Sequence, residues 1–151
     1  MTGDWYFDDF SVGDVHTTMG RTITETDLVT FVTFAGIFEE LFINAEFARE
    51  QSLFQGRAVP GLLILVVAEG LYVQTGRSHN GRAYLGLDEL RIVAPVVCGD
   101  TIRVDITVEE ARPSESRPGF GVLVMRHRVR NQSDVEVMSY KTARLLARRA
   151  A

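Results

Sequence analysis

The sequence holds a single cysteine, Cys98, which excludes a disulfide within the chain. Its three histidines, His16, His79 and His127, show no spacing that would gather metal ligands. Positive charge is also in short supply. Sixteen Lys and Arg against 20 Asp and Glu leave a net charge of −4, which argues against the basic face that nucleic acid requires. No apolar run approaches the roughly 20 residues that cross a bilayer. The opening MTGDWYFDDF is acidic and aromatic, without the basic start and apolar core of a secretory signal. These absences predict a cytoplasmic protein with no membrane, nucleic-acid or metal partner, and no cofactor is called for.

What is present fits one domain over residues 1–151, since 46% apolar and 24% charged residues are globular values. The chain is organised around PGLLILVVAEGL, Pro60 to Leu71. Eight consecutive residues there, Leu62 to Glu69, include one polar side chain, and a segment apolar on every side predicts a buried helix. Pro60 suits its first position. Upstream, Val15 to Ile23 is predicted as a strand. Thr24 and Asp27 form a capping box ahead of Leu28, Phe31, Val32 and Ala35 at helical spacing, and Gly36 ends that helix. Ala45 to Gln51 is predicted as a second short helix. Downstream the pattern changes to period two. Ile102, Val104, Ile106 and Val108 share one face, as do Leu123, Met125, His127 and Val129, and a last strand runs from Val135 to about Leu146. The order predicts an α+β fold, an antiparallel sheet wrapped around a long central buried helix. An open sheet edge predicts pairing with another chain.

Several stretches together resemble the MaoC-like hot-dog dehydratases, also called R-specific enoyl-CoA hydratases. They are FSVGD near the start, FAG closing the first helix, EFAR in the second, Pro60-Gly61 opening the apolar helix, and APVVCGDTI before a regular strand. The likeness runs from about Phe7 to Leu146. It implies a hot-dog fold, usually dimeric, that binds acyl thioesters of coenzyme A or acyl carrier protein and adds or removes water across the 2,3 bond. A homodimer, or a hetero-oligomer with another hot-dog chain, is the implied assembly. The family's catalytic Asp and His fall on Ile37 and Phe42 here, its Asn-Pro pair on Glu39-Glu40, and the His-Gly that opens its helix on Pro60-Gly61.

The candidate residues follow. The Gly61 backbone N–H, at a helix start, can polarise a thioester carbonyl. Glu39 and Glu40 replace the dyad; set among Phe38, Leu41, Phe42 and Ile43, a carboxylate would be desolvated and raised toward neutrality, suited to general acid–base work. The alternative is that one faces solvent and the other pairs with Arg49 or Arg57. Only one is expected to enter a pocket, Glu39 rather than Glu40. Phe42, Asn44, Pro60 and Arg57 are candidate substrate contacts, with helix capping the alternative for Asn44. Glu69, eight residues after Gly61, resembles the base of some hot-dog thioesterases; otherwise it faces water or Arg77. His127 is an alternative catalytic residue or a hydrogen-bonded core histidine. Arg144, Arg148 and Arg149 are expected to form a basic tail, with Arg57 and Arg82 near a pocket mouth. Three functions remain open: a hydratase or dehydratase with a non-standard acid–base set, a thioesterase using Glu69, and a non-catalytic acyl-thioester-binding or partner subunit.

Overall fold

The apolar stretch forms a helix that outruns its own apolar core. The structure, a computed structural model, describes residues 4–54 and 56–150. In it the long helix α4 spans Gly61–Gln74, with Pro60 as its N-cap rather than its first residue. It passes through Gly70, whose helical cost of about 1 kcal/mol is outweighed by packing on both sides. Leu63, Ile64, Val67, Ala68, Leu71 and Tyr72 are buried. The helix is not covered all round, however. Leu62, Val66 and Val73 are 53%, 56% and 50% exposed, and their spacing puts them on one face.

Ahead of α4 lie a 3-10 turn at Phe7–Asp9, strands β1 (Val15–Thr17) and β2 (Arg21–Thr22), and helices α1 (Glu25–Ala35), α2 (Glu40–Ile43) and α3 (Ala45–Gln51). The expected Val15–Ile23 strand is thus two pieces. Thr18 donates its hydroxyl to the Met19 carbonyl, 2.8 Å, and accepts from Val104 N, 3.0 Å, where the strand breaks. The α1 boundaries are as expected: Thr24 and Asp27 cap each other's backbone, and Gly36 ends the helix at φ 71°. The four-residue α2 was not anticipated.

After α4 come β3 (Gly81–Ile92), β4 (Thr101–Pro113), β5 (Phe120–Arg130) and β6 (Glu136–Ala147). The antiparallel sheet has the order β1-β4-β5-β6-β3, with β2 also pairing β4. Its inner face carries Ile102, Val104, Ile106 and Val108, then Leu123, Met125, His127 and Val129, all buried and in the expected period. These pack with Leu63, Ile64, Val67 and Leu71 of α4 in one core, so the sheet wraps the helix in the α+β hot-dog arrangement. Strand β3 departs from the period-two alternation of the strands that follow it. Its register on β6 shifts three times, and Glu89 sits at φ 52° in the last shift. No helix is long and apolar enough to cross a membrane among the described residues.

Candidate functional site at the head of the long helix

Pro60 turns the chain into α4 with its carbonyl accepting from Leu63 N, 3.0 Å, and Ile64 N, 3.3 Å. The N–H groups that open a helix have no partner within it and carry partial positive charge. Gly61 is the first such position. It has a second reason to be glycine: a Cβ there would overlap the Ile92 side chain of β3. Beside this close approach is a cavity of about 270 Å³, lined by Phe54, Val59, Ile64, Ile92, Val93 and Pro95 among others. Every side chain lining it is apolar. A backbone donor beside an apolar cavity can orient a polarised carbonyl whose chain lies in the cavity.

The segment between α1 and α4 carries the other candidates. Glu39 is the N-cap residue of α2 but makes no side-chain cap bond, and it is exposed. Glu40 is exposed too and accepts from Asn44 Nδ2 at 3.3 Å. The expected desolvation of these carboxylates is therefore absent in the single chain. Among the described residues neither pairs with an arginine. Arg49 instead holds Glu46 at 2.6 Å and Glu50 at 3.2 Å, while Arg57 pairs with Glu25 and donates to the Phe42 carbonyl at 3.1 Å. Asn44 caps α3 through Phe47 N, 3.1 Å, which is its local alternative. Phe42 is half-buried. Arg57 lines a separate groove of about 210 Å³ with Ala45, Ala48, Arg49 and Gly56. The structure thus sets Gly61 against Ile92, a wall of the apolar cavity, without making Pro60 or Gly61 part of its lining, and leaves Glu39 and Glu40 facing solvent.

Near the other end of α4, Glu69 is partly exposed and is held by groups other than Arg77. It pairs with Arg144 of β6 and accepts from the Tyr140 hydroxyl at 3.0 Å. Arg77 lies over the Trp5 ring, 4.0 Å from its centre. Arg144 is not part of a surface tail: it is 9% exposed and sits 4.6 Å from the centres of both the Tyr72 and Tyr84 rings. Arg148 and Arg149 do reach the surface, where they hold Asp8 and Asp9 at 2.9 and 2.8 Å. His127 stacks on Tyr140, 4.6 Å between rings, and its Nε2 meets Thr142 Oγ1 at 3.0 Å. Burial, reinforced by the Arg144 charge, pushes its pKa down to about 3. Burial raises Tyr72 to about 12. His127 is accordingly a neutral core histidine near pH 7, and Glu69 is occupied by an arginine and a phenol.

The Arg144–Tyr140–His127–Thr142 constellation escaped sequence reasoning as a unit. Its signal was available: Tyr140, Thr142 and Arg144 share the inward parity of β6 with Met138 and Leu146, so the last strand points a cation at the core, where α4 offers one carboxylate. Ile92 and Val93, which line the cavity, were missed because the bulges of β3 break its period. Among the described residues, no group of three His, Cys, Asp or Glu could hold a metal ion.

Comparison with known proteins fits this arrangement. A model of the mesaconyl-CoA hydratase family matches residues 2–151. Protein MaoC of Klebsiella aerogenes is 33% identical over 113 residues, covering 74% of this chain and 33% of that protein. The chain thus spans about a third of the length of the curated relatives it matches. The MaoC-like dehydratase of Rhodospirillum rubrum superposes with a TM-score of 0.82 at 26% identity, over 97% of this chain and 99% of that one. A Mycobacterium tuberculosis protein with a double hot-dog fold superposes with a TM-score of 0.89 at 22% identity, over 99% of this chain and 46% of that one.

Proposed function

We propose, from the premise that this chain belongs to the mesaconyl-CoA hydratase family of MaoC-like proteins, that it binds a 2-enoyl or 3-hydroxyacyl thioester of coenzyme A and interconverts the two by adding or removing water. The observation that carries the proposal is Gly61, a backbone donor at the start of α4 beside an apolar cavity of about 270 Å³. The acyl chain enters the cavity, and the thioester oxygen accepts from the Gly61 N–H. That contact strengthens as negative charge grows on the oxygen, which favours proton transfer at the α-carbon. A carboxylate of the neighbouring segment, Glu39 or Glu40, moves the proton, with exclusion of water from that segment left to the bound thioester.

A second reading has its own observation. By the family resemblance Ile37 and Phe42 fall where its acid–base pair would be, and Glu39 and Glu40 face solvent. This favours a subunit that binds the thioester while another hot-dog chain supplies the proton transfer. The occupied state of Glu69 favours neither reading and removes the support for a thioesterase.

Incubation with crotonyl-CoA and 3-hydroxybutyryl-CoA, followed by mass spectrometry, tests both. A mass change of one water, lost in Glu39→Gln or Glu40→Gln, is the expected result. Binding without a mass change supports the second reading. Release of free coenzyme A in place of hydration overturns both.

A further inference from the structure

Strand β3 reverses its alternation partway along its length. Leu87 lies opposite Thr142 and Ile92 opposite Met138 on β6, and both partners are buried. Leu87 packs on the core, and Ile92 meets Gly61 of α4, so both look toward the helix. In a regular strand an odd spacing such as theirs puts two side chains on opposite faces. The register accounts for the difference. Asp88 pairs with Lys141 and Arg91 with Ser139, which leaves Glu89 and Leu90 opposite the single residue Tyr140. One extra residue in one strand is a β-bulge, and it exchanges the faces of every side chain after it.

Glu89 sits in that bulge at φ 52°. This left-handed conformation is unfavourable for a residue with a Cβ and is ordinarily left to glycine. The outer face of the sheet holds it in place. Arg126 of β5 donates to the Glu89 carboxylate at 2.6 Å, and the Lys141 ammonium of β6 lies 3.4 Å from it. The same two cations each hold Glu109 at 2.8 Å. Glu109 is itself the extra residue of a bulge in β4. Two carboxylates and two cations thus close a ring that ties the bulges together. The hydrogen bonds from Arg126 and Lys141 keep Glu89 below the usual carboxylate range, so it is ionised near pH 7.

We infer that Glu89 is a positioning residue for the acyl site: its bulge, clasped from the outer face by Arg126 and Lys141, sets Ile92 against Gly61, keeps Arg91 outside, and so selects apolar acyl tails. The inference rests on the reading of the cavity beside Gly61, about 270 Å³, as the thioester site, and adds what fixes its wall. Ile92 is part of that wall and closes on Gly61 so nearly that a Cβ there would overlap it. Without the extra residue, Ile92 and Arg91 exchange faces. A guanidinium then stands where the isoleucine was, and a hydrocarbon tail in the cavity would strip it of water without pairing it. The penalty grows with the length of the tail, because a longer tail reaches further along the wall.

The test reads selectivity in the full chain, as the ratio of kcat/KM for 2-hexenoyl-CoA to that for crotonyl-CoA; the ratio of affinities serves if the chain binds without turnover. Glu89→Val combines a β-branched residue, which resists the left-handed region, with loss of the ion pairs. It is expected to lower the ratio at least fivefold. Glu89→Gly loses the same ion pairs but takes the conformation freely, and is expected to keep the ratio within twofold of the parent. Arg91→Ala added to Glu89→Val is expected to restore at least half of the lost selectivity. Glu89→Ala repeats the measurement should Glu89→Val misfold by its far-UV spectrum. A parental ratio in Glu89→Val, an equal fall in Glu89→Gly, no recovery with Arg91→Ala, or a parent that takes crotonyl-CoA alone overturns the inference. A crystal structure of Glu89→Val reads the same step without substrate, with Ile92 expected off Gly61 and Arg91 turned inward; Ile92 unmoved overturns it too. That movement, in a chain whose parent binds neither thioester, supports the positioning by Glu89 and overturns the proposed function instead.

Discussion

A neutral imidazole sealed between a phenol and a hydroxyl makes the protein sensitive to acid at one residue. His127 titrates near 3 in the fold and near 6.5 in an unfolded chain. The folded value is the lower one, so the stabilisation is complete above about pH 6.5 and drains as pH falls toward 3, because the unfolded state takes up the proton first. Urea unfolding between pH 6 and 4 is expected to lose up to about 1.4 kcal/mol per pH unit through this residue, and His127→Gln should flatten the slope by that amount. An unchanged slope would mean that other groups carry the acid sensitivity. The pair beside it follows a different rule. Glu69→Gln leaves the Arg144 guanidinium, whose side chain is 11% exposed, without its counter-charge, and should cost about 2–3 kcal/mol in the same assay. Glu69→Gln with Arg144→Met removes both charges and should recover most of that loss. Non-recovery would show that the tyrosines around Arg144, rather than the charge pair, hold this end of α4.

Elements differ in how much of their position was written locally. Helix α1 was fully legible because both ends are set by residues in or next to it: Thr24 with Asp27 at the start, and Gly36 in the left-handed region at the end. Thr24→Ala and Gly36→Ala should each cost about 1 kcal/mol. Their effects should add, since the ends are about 16 Å apart and share no partner; chemical denaturation of the double variant checks both claims. Strands β4 and β5 were legible because one face is buried and the period is regular. Strand β3 was not, because its inner face is only partly covered and its bulges depend on β6, a strand far later in the chain. The site divides in the same way. Gly61 followed from Pro60 and the apolar run. The exposure of Glu39 and Glu40 depends on how the α1–α4 connection lies, and no local rule fixes that path. The exposed row Leu62, Val66 and Val73 was misjudged for a related reason: composition shows that α4 is apolar on all sides, but not that one chain covers only part of it.

At the scale of the whole molecule, the dimer implied by the family resemblance predicts that the uncovered α4 face and the β3 edge, unpaired among the described residues, tie stability to association. If the thioester site spans two copies, ligand, pairing and folding are linked equilibria, and each raises the apparent stability of the others by mass action. Two consequences separate this from a self-sufficient chain. The melting temperature should rise with chain concentration, which a monomer does not show. Crotonyl-CoA at a hundredfold excess over its dissociation constant should add about 2.7 kcal/mol, or roughly 5–10 °C for a chain of this size. In Val66→Glu, which puts a charge on the uncovered α4 face to block association, both dependences should shrink together, because the ligand there meets half a site. Thermal scans over a hundredfold range of concentration, with and without ligand, measure all of these on one instrument. A ligand shift that stays full in the monomeric variant would place the complete site within one copy, with the Gly61 N–H and its apolar cavity sufficient to hold the thioester.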